Sequence, residues 1–83
     1  MVVQVTKGDL IHGKRLNPLD CAVARAIKRV AAPGSFVSVD RHHLRVGTKV
    51  FGSPASVHDA VLAIDSGWGQ LVEPFSFELG EGA

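Results

Sequence analysis

Apolar residues recur along this chain in two rhythms. Spacings of three and four run through residues 17–34 and again through 54–67, while alternation or short apolar runs mark residues 3–5, 36–39, 42–46, 49–51 and 75–79. In the first helical stretch Leu19, Ala22, Val23, Ala26, Ile27 and Val30 form one stripe. Asn17 is suited to cap it, Pro18 to its first position and Asp20 to the positive end of the dipole; Pro33-Gly34 ends it. The second helix is predicted to start with Ser53 as cap and Pro54 as opener, to bury Val57, Ala60, Val61 and Ile64, and to stop at Gly67. His58, Asp59 and Asp65 are left toward water.

The alternating stretches read as strands. Val3 and Val5 face inward from a short first strand, and Phe36, Val37 and Val39 belong to a second. Asp40-Arg41 makes a tight connection to a strand over 42–46, and Gly47-Thr48 turns the chain into a strand over 49–51. Pro74 stands at the start of a last strand whose Phe75, Phe77 and Leu79 point one way. Residues 7–16, with two glycines and no sustained period, read as a surface loop carrying Asp9, His12, Lys14 and Arg15; residues 80–83 should fray. The order β-α-β-β-β-α-β in one 83-residue domain predicts an α+β fold, one mostly antiparallel sheet with two helices on one face.

Charge changes this picture more than composition does. The net of +1 conceals nine basic against three acidic side chains in residues 1–50, and five acidic with no basic ones in 51–83. Two readings follow: the halves fold against each other and screen one another, or the surface is bipolar and steers a partner. Apolar residues at 46% are spread through the chain instead of forming a membrane-length run, and Met1 to Val5 lacks the basic start and long apolar stretch of a secretion signal. A single cysteine permits no internal disulfide and suits a reducing cytoplasm.

Candidate chemistry is sparse. On a helical wheel Cys21 falls opposite the apolar stripe near Arg25 and Lys28, where cations would favour a thiolate, but no base or oxyanion motif accompanies it. His42 and His43 are adjacent on a strand, so they point to opposite faces and do not chelate one metal. Arg41, His43 and Arg45 share one face with Lys49 across the turn, a basic ribbon able to contact phosphates; Arg25, Lys28 and Arg29 extend the cation supply from the first helix. Phe36 and Phe51 are assigned to the core, which leaves that ribbon without stacking aromatics. Trp68, between two glycines, is expected under the last strand; exposed, it would be a binding anchor. The acidic third supplies Asp59, Asp65, Glu73 and Glu78 as a possible partner-binding face. No phosphate loop, dinucleotide fingerprint, zinc spacing or nucleophile elbow is present, so the expectation is a binding protein with no enzymatic activity, cofactor or metal.

The capped CAVARAIKR helix, the VSV and LRVG strands and the closing VEPFSFEL resemble small phage- and prophage-encoded α+β proteins, and in size and character the chain is similar to anti-CRISPR proteins. That resemblance implies a cytoplasmic inhibitor in the bacterial host cell, binding a Cas effector or surveillance-complex subunit through the acidic face and obstructing DNA. A small nucleic-acid-binding protein using the basic ribbon, or a structural or assembly phage protein, monomeric or weakly dimeric, are the alternatives.

Overall fold

The computed structural model describes residues 2–79. The chain runs through β1 (Val2–Val5), α1 (Lys7–His12), α2 (Ala22–Val30), β2 (Val37–Val39), β3 (His43–Val46), β4 (Lys49–Gly52), α3 (Ala55–Asp65), a 3-10 turn (Gly69–Leu71) and β5 (Phe75–Glu78). The α+β class and the antiparallel pairing are as expected. The strands, however, form two sheets instead of one: β1 with β5, and a meander β2-β3-β4. One backbone group of β2 and one of β1 are taken by other elements. The Val39 N–H of β2 donates to the Pro18 carbonyl at 2.9 Å, and the Gln4 carbonyl of β1 accepts from the Arg29 guanidinium at 2.9 Å.

One core serves both sheets. Val3 and Val5 of β1, Val23, Ala26 and Ile27 of α2, Val37 and Val39 of β2, Leu44 of β3, Val57 and Val61 of α3, Phe77 and Leu79 are buried together, with Phe51, Ile64 and Phe75 half-buried against them. The alternation carries this: Val37 and Val39 in β2, and Leu44 in β3, turn inward while Ser38, His43 and Arg45 do not. The β3–β4 hairpin closes through Gly47, whose φ of 62° is a conformation glycine adopts without strain. At the end of α3, Gly67 at φ 91° lets its N–H reach the Ile64 carbonyl and the Trp68 N–H reach the Ala63 carbonyl, satisfying two last-turn acceptors.

Several local expectations need correcting. Residues 7–12 are helix, because Thr6 and Asp9 form a capping box: the Asp9 N–H donates to Thr6 Oγ1 at 3.2 Å and the Thr6 N–H donates to Asp9 Oδ2 at 2.9 Å. The first predicted helix, α2, starts at Ala22, four residues past Pro18, because Asn17 caps a turn instead; its side chain accepts from the Leu19 N–H at 3.0 Å and its carbonyl from the Asp20 N–H. Leu19 and Val30, at the ends of the stripe, are therefore exposed, and Cys21 turns inward with only 6% of its surface exposed. Ser53 does not cap α3; Pro54 holds that position, and Ser53 Oγ is buried without a hydrogen-bond partner. Phe36, just before β2, is exposed rather than in the core, and so is Trp68. The expected fraying of 80–83 lies outside the described residues.

Candidate partner-binding site

Gly13 brings α1 and α2 into contact: a Cβ there would lie 2.4 Å from the Ala22 nitrogen. With its first turn capped and its end held against α2, the short α1 presents Lys7, Leu10 and Ile11 to an open groove of about 800 Å³. The opposite wall comes from Ile64 and Gly67 at the end of α3 and from Gly69, Gln70, Val72, Glu73 and Pro74. Of the lining side chains Ile11 is 64% exposed. Trp68 and Leu71, 57% and 70% exposed on the α3–β5 connection, do not line the groove. A concavity walled largely by apolar side chains is where ligands and partners commonly dock. Lys7 and Arg15 on one side and Glu73 on the other give it charges of both signs.

The acidic candidates are spread over separate elements. Asp59 and Asp65 are both on α3, but six residues apart they are about 120° apart around the helix. Asp65 accepts the Leu16 N–H at 3.0 Å and so holds the chain before α2. Glu73 stands at the groove, and Glu78 pairs in register with Val2 across the β1–β5 ladder.

The basic candidates of α2 are engaged within the fold. Arg29 grips Asp9 through both guanidinium nitrogens, with Nη1 donating to Oδ1 at 3.0 Å, and Arg25 Nε is 3.9 Å from the same carboxylate. Lys28 Nζ donates to the Leu19 carbonyl. Asp9 itself is 2% exposed; the Arg29 fork, against the opposing effect of burial, holds its carboxyl down at about 2. Arg41 is in the β2–β3 loop, where its carbonyl pairs with His58 Nδ1 at 2.9 Å and where Asp40 accepts the N–H groups of His42 and His43, both at 2.7 Å. Those N–H groups, His42 first, lower the Asp40 carboxyl. Arg41 and Asp65, one from each charged set, meet around a second concavity of about 230 Å³ that Cys21 also lines. Burial pushes the Cys21 thiol up, the reverse of what a reactive thiolate needs. His43 and Arg45 are exposed on the outward face of β3, joined there by Phe36; Lys49 pairs with Val46, one step out of phase with Arg45.

The groove was not legible as such from the sequence. Its signals were the Thr6-x-x-Asp9 pattern, which announces a helix start, and the glycines on either side of Trp68. Among the described residues no group of three or more His, Cys, Asp or Glu could hold a metal ion, and no helix is long and apolar enough to cross a membrane.

Fold and groove together define a small α+β protein of two antiparallel sheets around one core, with one open, partly apolar groove. Compared with family models, curated proteins and solved structures, the chain matches none.

Proposed function

We propose that this chain works by binding a protein partner through the groove between α1 and the α3–β5 connection. The observation that carries this reading is an open concavity lined by Leu10, Ile11, Ile64, Val72 and Pro74, with Ile11 left 64% exposed at it. The fitting partner offers an apolar projection flanked by acidic groups toward Lys7 and Arg15 and a basic group toward Glu73. The resemblance to phage-encoded inhibitors makes a Cas surveillance complex the partner to test first. Of the acidic set, Glu73 is the member this groove recruits.

The test is a set of purified surveillance complexes assayed for target-DNA binding with and without the protein. Loss of DNA binding, relieved by Ile11→Ala or Val72→Ala and by Glu73→Lys, supports the reading. Undiminished DNA binding in every complex excludes that partner class; inhibition indifferent to all three substitutions excludes the groove.

A second reading draws on Phe36. Its exposure on the face that carries His43 and Arg45 supplies the aromatic that direct single-strand nucleic-acid binding requires. Phosphate contact there must weaken steeply with salt, and an undetectable complex with single-stranded DNA at low salt eliminates it.

A further inference from the structure

The outer edge of β4 carries an interaction of a different kind. The Ser53 N–H donates to the His42 carbonyl at 2.9 Å, which sets the phase of the β3–β4 ladder. Residues 42 and 53, 44 and 51, and 46 and 49 exchange hydrogen bonds, while Val50 and Gly52 turn their N–H and C=O groups away from β3. No described residue pairs with those groups. Val50 is 55% exposed, and a Cβ added at Gly52 would meet nothing within 4 Å. Natural edge strands are protected by shortness, by charged side chains, by bulges or by proline; β4 is short and begins at Lys49, but it keeps unbroken register with β3 and has no bulge or proline within its span.

We propose that β4 pairs antiparallel with β4 of a second copy of this chain, about a two-fold axis through Phe51, merging two three-stranded sheets into one of six strands. The edge is self-complementary in that register. Its two outward-facing residues are two positions apart, so a two-fold axis at the residue between them sets Val50 opposite Gly52 twice, and each such pair exchanges two backbone hydrogen bonds. An axis at Val50 or at Gly52 would use only one outward residue of the strand as a self-pair and carry the other past the strand's end. The side chains agree with the backbone: Val50 lies beside a residue that has none, and Lys49 falls opposite Ser53, so no like charges face each other across the new pair.

The experiment is sedimentation equilibrium of the whole chain over concentrations up to about 1 mM, the weak end of specific association, together with amide hydrogen exchange by NMR. A reversible dimer is expected, with the Val50 and Gly52 amides gaining protection as concentration rises. Val50→Pro, which removes an N–H that no intramolecular bond uses, should give a monomer with the circular dichroism of the parent. The exchange readout on the unmodified chain decides the matter independently of whether that variant folds. A monomer at every concentration, or a dimer whose Val50 and Gly52 amides exchange as freely as in dilute solution, overturns the proposal.

Discussion

Asp9→Asn is the substitution whose consequence follows most directly from the structure. Asp9 is the single charged residue in the buried set, and it ties three elements together: it closes the capping box of α1, receives both arms of Arg29 from α2, and through Arg29 is linked to the Gln4 carbonyl of β1. Its carboxyl is held at about 2 against an ordinary 3.8. Since a pKa difference is a difference in stability between protonation states, the ionised form contributes about 2–3 kcal/mol to folding. The sign follows from the folded state binding its proton more weakly. The contribution is complete above the unfolded value of 3.8, declines as pH falls from there through about 2, and is absent below. Asparagine keeps the shape and one acceptor but loses the charge, so at pH 7 it should cost about 2–3 kcal/mol, or on the order of 10–20 °C in Tm for a domain of this size. Urea denaturation of both proteins between pH 7 and 2 measures this. The gap between them should close almost entirely by about pH 2, and Arg29→Lys, which keeps the charge but not the fork, should fall between the two at pH 7. A difference below about 0.5 kcal/mol at neutral pH, or one that persists unchanged to pH 2, would refute the reasoning.

Other substitutions probe packing and exposure. Gly13→Ala should destabilise by about 2–3 kcal/mol because its methyl meets the Ala22 and Asp9 backbones, whereas Gly47→Ala, in open space but at positive φ, should cost only about 1 kcal/mol; chemical denaturation separates them. Leu44→Ala, at the fully buried centre of the β2-β3-β4 sheet, should cost about 3 kcal/mol in the same assay. Cys21 should resist alkylation in the native protein and react once urea unfolds it, read by mass spectrometry; prompt native labelling would contradict its burial. Trp68 should fluoresce as a water-exposed indole open to acrylamide quenching, and Trp68→Ala should leave stability within about 0.5 kcal/mol.

Local order was largely written in the chain. The stripe of Ala22, Val23, Ala26 and Ile27 made a helix wherever its ends fell, the alternation of Val37, Val39 and Leu44 chose the inward face of the meander, and Gly47 and Gly67 placed the turn and the helix stop, because periodicity and positive φ are properties of neighbouring residues. What needed the tertiary structure were the choices made between distant residues. Asn17 could cap either a helix or a turn. The strands part into two sheets around one core, the Val39 N–H of β2 goes to Pro18 and the Gln4 carbonyl of β1 to Arg29, and Arg29 leaves the supposed basic face of α2 to hold a buried Asp9. Cys21 inside and Trp68 outside reverse the expectations from helical wheel and composition, since burial is decided by what packs on a residue and not by the residue's own character. The groove is likewise a property of the assembled molecule: its two walls, α1 and the α3–β5 connection, are separated by some fifty residues of chain and meet only through the core they share.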